Sequence, residues 1–162
     1  MTVTAVDKDA EQLTISITTE LDAPVARAWV LWSDPRQLER WWGPPTYPAT
    51  FVDHDLSLGG RCSYFMTGPD GDQPRGWWRI VAVDPPHRLE FENGFADEDG
   101  SPTTGAPVMR MQLDLRERSG GGTTMTIASR FASVGDMEQI LERGFAEGIT
   151  AAVNQIEAIL AG

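Results

Sequence analysis

The chain has 162 residues and a mass of 17.8 kDa, with 13 Lys+Arg against 24 Asp+Glu, a net charge of −11 and a pI near 4.5. One lysine (Lys8) and scattered arginines cannot build the clustered basic surface that a phosphate backbone or an anionic membrane demands, so nucleic acid is excluded as a partner. At 41% apolar and 23% charged the composition is that of a globular chain, and a single cysteine, Cys62, excludes an internal disulfide and a thiolate zinc site.

The length fits one domain, expected over 1–162 with an ordered core from about residue 13 to residue 160. Met1 to Ala10 has neither a basic start nor an apolar run, so no signal peptide is expected there. No stretch approaches the ~20 apolar residues of a membrane span. The expected location is the cytoplasm.

Leu13, Ile15 and Ile17 alternate with Thr14, Ser16 and Thr18, which predicts a half-buried strand. Asp22 as cap and Pro24 as first-turn residue then predict a short helix with Val25, Ala28, Trp29 and Trp32 on its inner face. Asp34-Pro35 repeats the signal and predicts a second short helix to about Trp41, with Leu38 inward and Gly43-Pro44-Pro45 as its stop. Strands are expected at Phe51 to Leu58, Arg61 to Thr67, Gly76 to Val83 and Arg88 to Asn93. The turn signals between them (Gly59-Gly60, Gly68-Pro69-Asp70-Gly71, Asp84-Pro85-Pro86) are too short for parallel crossovers, so the neighbours must be antiparallel.

Asn93 to Pro107 is rich in Gly, Pro and acid, and reads as either a mobile lid or a slack hairpin end. Strands follow at Val108 to Glu117 and Thr123 to Phe131, turning at Ser119 to Gly122. From Met137 to Leu160 apolar residues fall at i, i+3, i+4 spacing, predicting one long amphipathic helix capped by Asp136. Strands in succession followed by a helix make the class α+β, with an antiparallel sheet curling round the C-terminal helix.

No strong catalytic motif is present: no G-x-S-x-G, no P-loop, no dinucleotide fingerprint and no H-E-x-x-H. His54 and His87 are the only imidazoles, and no metal or cofactor is expected. In Asp53-His54-Asp55 adjacent strand residues point to opposite faces, which favours a solvated strand edge over a metal site. Aromatic and sulfur bulk stands out instead. Trp29, Trp32, Trp41, Trp42, Tyr64, Met66, Trp78, Met109, Met111, Phe145, Ile149 and Ala152 either fill a core or wall a cavity between curved sheet and helix. Polar tips among apolar neighbours, such as the Tyr64 hydroxyl and the indole N–H groups, suit an amphipathic ligand.

Several motifs, in their order and spacing, resemble one family. They are Ala23-Pro24, Trp29, Trp32-Ser33-Asp34-Pro35, Leu38, Trp41-Trp42-Gly43-Pro44, Leu58-Gly59-Gly60-Arg61, Gly68-Pro69-Asp70-Gly71, Asp84-Pro85-Pro86-His87-Arg88-Leu89 and Gly121-Gly122-Thr123, with the segment from Met137 to Gly148. The chain resembles the START-like, birch-pollen-allergen-like superfamily of helix-grip domains (SRPBCC), most of all the branch named after the activator of the heat-shock chaperone ATPase. The resemblance covers about Leu13 to Leu160. It implies about seven antiparallel strands gripping the C-terminal helix, with a cavity between them. Family members often carry Trp after the glycine matching Gly148, where this chain has Ile149.

The expected function is binding of a small hydrophobic or amphipathic molecule of lipid, polyketide or aromatic class, by a monomer or homodimer. The alternatives are a polyketide cyclase-like or hydrolase-like enzyme, with Tyr64, Asp53 or His54 as candidate acid or base, and a chaperone-associated stress protein.

Overall fold

The computed structural model describes residues 3–161. Its elements are β1 (Val3–Asp9), β2 (Thr14–Leu21), α1 (Val25–Ser33), α2 (Pro35–Leu38), β3 (Ala49–His54), β4 (Arg61–Met66), β5 (Arg75–Asp84), β6 (Arg88–Ala96), β7 (Val108–Glu117), β8 (Thr123–Arg130), α3 (Val134–Glu142), α4 (Phe145–Val153) and α5 (Ile156–Ala161). All strands join one antiparallel eight-stranded sheet in the order β1-β2-β8-β7-β6-β5-β4-β3. The fold is α+β, and the C-terminal helical segment lies against the inner face of the sheet.

The inner face follows from period-two burial. Ile15 and Ile17 of β2, Met109 to Leu115 in alternate places on β7, and Met125 and Ile127 of β8 are buried, while their neighbours face outward. Val153, Ile156 and Ile159 of the C-terminal helices complete that core. Glu138 and Glu142 stay exposed, as a helix with one apolar stripe requires. Where α1 and α2 meet the sheet, Trp32, Trp41, Trp42 and Trp78 cluster with Phe91. Trp78 stacks on Phe91 with ring centroids 4.0 Å apart.

Several local expectations change. The eighth strand is β1, which lies ahead of residue 13; its Ala5–Asp9 side chains are exposed, so it carries no burial pattern to read. The first helix is capped at Pro24 with no side-chain bond, so Asp22 is not its cap. Asp34 does cap α2, accepting from the Arg36 N–H at 2.9 Å. That helix ends at Leu38, and Trp41 and Trp42 follow in turns that bond back to the Leu38 carbonyl. The strand expected at Phe51 to Leu58 is Ala49–His54, because Asp55 instead accepts from the Ser57 N–H and hydroxyl and turns the chain.

Asn93 to Pro107 is the hairpin-end alternative. Strand β6 runs on to Ala96, Ala96 bridges Pro102, and Asp97 bonds to Ser101 and Thr103. The C-terminal segment is interrupted. Gly144 adopts φ +82°, a left-handed value that ends α3 and restarts the chain as α4. A tightened turn at Asn154–Gln155 separates α4 from α5 without reversing the backbone. The cap of α3 is Ser133, whose hydroxyl accepts from the Asp136 N–H; Asp136 sits in the first turn instead.

Candidate ligand cleft

A gap opens between the sheet and the helical segment around the break at Gly144. The gap is a cleft of ≈ 260 Å³ lined by Tyr64 and Met66 of β4, Asn93, Gly94 and Phe95 of β6, and Met109 of β7. Trp42 and Pro44 close it from the loop after α2. The helix side supplies Ile140 and Arg143 at the end of α3, then Phe145, Gly148 and Ile149 of α4. Phe145 is propped edge-on against Phe131, with ring centroids 6.2 Å apart.

The polar groups of the cleft are few and mostly occupied. The Tyr64 hydroxyl donates to Asn93 Oδ1 at 3.1 Å, and Asn93 Nδ2 faces the Met111 sulfur at 3.4 Å. Burial pushes the Tyr64 hydroxyl up to about 12, against a smaller opposing pull from the neighbouring Trp42 and Asn93 side chains. Trp42 Nε1 approaches that oxygen without reaching hydrogen-bond geometry, and Trp32 and Trp78 Nε1 are likewise unpartnered. These three indoles pack against one another, Trp42 edge-on to both partners.

Among the residues expected at a cavity wall, Trp42, Tyr64, Met66, Met109, Phe145 and Ile149 line the cleft. Trp32, Trp41, Trp78, Met111 and Ala152 are fully or almost fully buried in packed core away from it, and Trp41 Nε1 donates to the Leu31 carbonyl at 2.9 Å. Trp29 is half-buried on α1. Trp77 faces outward, its Nε1 donating to the Phe95 carbonyl at 3.1 Å.

Sequence reasoning missed Asn93, Gly94, Phe95, Ile140 and Arg143. Asn93 closed the expected strand from Arg88, Phe95 fell in the segment read as a lid or hairpin end, and the helical pattern placed Arg143 on no apolar face. The candidate acids and bases other than Tyr64 lie elsewhere. His54 Nε2 is 3.0 Å from the Trp32 carbonyl, and Asp53 accepts from the Ser63 hydroxyl at 2.6 Å. Both belong to edge strand β3.

A larger depression, ≈ 1080 Å³, crosses the outer face by β4 and β5, among exposed Asp53, Arg61 and Arg79 and half-buried Arg75 and Trp77. Its lining is charged and polar over much of its surface. The cleft at Gly144 is the predominantly apolar one. No group of three or more His, Cys, Asp or Glu among the described residues is arranged to hold a metal ion. No helix among them is long and apolar enough to cross a membrane.

The profile of the activator of Hsp90 ATPase homolog 1-like protein family matches residues 22–161, nearly the whole chain. The chain belongs to this family. Among solved structures it is similar to protein Ms6760 from Mycobacterium smegmatis, with 51% identity, 98% of this chain and 96% of that chain covered, and a TM-score of 0.90. A solution structure from Arthrobacter aurescens is 49% identical over 99% of this chain and 92% of that chain, with a TM-score of 0.94. CalU16 from Micromonospora echinospora shares the fold at 22% identity, covering 94% of this chain and 81% of that chain, with a TM-score of 0.59. A search of curated proteins finds no match. Membership places the chain in a fold that is often ligand-binding, which directs attention to the cleft between sheet and helix.

Proposed function

We propose that this family member is a cytoplasmic binding protein for a small hydrophobic or amphipathic molecule held in the cleft at Gly144. The observation that carries the reading is the lining itself: Trp42, Tyr64, Met66, Met109, Phe145 and Ile149 converge on an apolar gap with only a few polar tips. Ligand sites are concave, mostly apolar and fitted with a small number of placed polar groups. At ≈ 260 Å³ the gap lies just under the ~300–1000 Å³ usual for such sites, which favours a compact ligand over a long lipid.

Binding is favoured over bond-making chemistry because the lining offers no carboxylate, imidazole or thiol. A hydroxyl raised to about 12 is a poor base near neutral pH.

The test is titration with the neutral apolar fluorophore N-phenyl-1-naphthylamine. The reading expects saturation at one site per chain, and loss of binding in Ile149→Trp while the thermal midpoint stays near that of the parent. Undiminished binding by a folded Ile149→Trp variant would refute it. So would binding seen only in partly unfolded protein, since loosened states take up such dyes anywhere.

A further inference from the structure

Resting on that reading, we propose that the cleft selects an amphiphile with a single anionic head group. Its apolar body lies against Met66, Met109 and Ile149, and its anion meets Arg143 at the mouth.

Arg143 is the one charged residue in the lining. Four of the twelve arginines pair with carboxylates, Arg36 with Glu39, Arg79 with Glu92, Arg88 with Glu90 and Arg118 with Glu20, so what sets Arg143 apart is its place in the apolar lining. Arg143 has no ion-pair partner among the described residues, although exposed Glu142 and Glu147 are near in sequence.

It is nevertheless held in place. Its backbone caps α3, and its guanidinium lies over the Phe95 ring at 5.0 Å from the centroid. Phe95 is itself fixed, because its carbonyl accepts from Trp77 Nε1 and from the Thr103 N–H. A guanidinium held over a ring through its charge makes no hydrogen bond to that ring, so its N–H fork is left for a ligand, and that fork matches the two oxygens of a carboxylate or sulfonate.

The inner end of the cleft sets the orientation. Tyr64 and Asn93 there are neutral and already bonded to each other. An unpaired anion buried beside them would lose its hydration without compensation, so the charge must stay at the mouth. The cleft volume then limits the body to two or three rings, or a short branched chain.

Two fluorophores of one ring frame separate head from body: neutral N-phenyl-1-naphthylamine and its 8-sulfonate, 1-anilinonaphthalene-8-sulfonate. At low salt, where surface charge is least screened, Arg143→Gln is expected to weaken the sulfonate roughly 5- to 30-fold, the range of a partly exposed charge-assisted pair. The neutral probe should change less than about twofold, and Arg143→Lys should restore part of the sulfonate affinity. Arg110→Gln, on the outward side of β7, should leave both probes unchanged.

Equal weakening of both probes by Arg143→Gln would mean that Arg143 is only wall, and would overturn the inference. An unchanged sulfonate affinity would overturn it too. Failure of the neutral probe to bind the parent protein is a different outcome, because it would remove the binding reading itself.

Discussion

Ile156→Ala and Ile149→Ala remove the same three carbons from the same helical segment, yet the structure gives them different costs. Ile156 has 0% exposure and lies in continuous core. Three buried carbons at ~0.8 kcal/mol each give ~2.4 kcal/mol of transfer free energy, and the void left behind brings the total to ~3–4 kcal/mol. Ile149 is half-buried and already borders the cleft, so part of that transfer term is absent and no new void opens. Its truncation should cost ~1 kcal/mol.

For a chain of this length ~1 kcal/mol moves the thermal midpoint by roughly 2–4 °C. Ile156→Ala should therefore lower it by ~6–16 °C, and Ile149→Ala by no more than ~4 °C. Urea denaturation followed by far-UV circular dichroism gives the free energies directly, with unchanged slopes confirming comparable unfolded states. Equal losses above ~3 kcal/mol at both positions would mean that Ile149 is packed core, and the cleft reasoning would fail.

Cys62 is 1% exposed and burial pushes its thiol up to about 11, so a disulfide reagent should leave native protein unmodified near pH 8 and label it at once in urea. The same two buried acids predict alkaline sensitivity. Cys62 and Tyr64 hold their protons to about 11 and about 12, while the unfolded chain releases them at ordinary values near 9 and 10. The unfolded state thus binds fewer protons in that window, and stability should fall as pH rises from ~9 to ~12, part of the loss disappearing in Tyr64→Phe. A flat urea midpoint across that range would contradict this. Gly76→Ala should destabilise the fold by ~1–3 kcal/mol and weaken neutral-probe binding, because its Cβ runs into the Tyr64 hydroxyl; the urea midpoint and the probe titration read both effects. Gly144→Ala meets no atoms but must hold φ +82°, so calorimetry should find a loss of ~1–2 kcal/mol from backbone strain alone.

The sheet was legible wherever burial alternates. Ile15 and Ile17, Met109 to Leu115 and Met125 to Ile127 announce their faces in sequence because one side of each strand meets core. Strand β1 was not legible, since an exposed edge strand is held by backbone bonds to β2 and imposes no side-chain pattern. The continuous apolar stripe from Met137 to Leu160 likewise concealed the break at Gly144. A stripe reports which side is buried, whereas a single left-handed glycine decides where the axis is interrupted.

The same limit governs the cleft. Trp42, Tyr64, Met66, Met109, Phe145 and Ile149 were identifiable as large inward residues. Their separation from Trp32, Trp78 and Met111, equally large and inward, depends on where helix and sheet part company. Residue type carries no record of that distance. Arg143 looked like one more solvated charge on the polar side of a helix, and its place over Phe95 is a tertiary contact that no local pattern records.

The most direct measurement is amide chemical-shift mapping of the 15N-labelled protein titrated with N-phenyl-1-naphthylamine. The account predicts that the largest shifts fall on Met66, Asn93 to Phe95, Met109 and residues 143–149, saturating together at one equivalent, while the outer-face amides of Arg61 and Arg79 stay still. Shifts concentrated around Arg61, Trp77 and Arg79, or none at saturating probe, would contradict it.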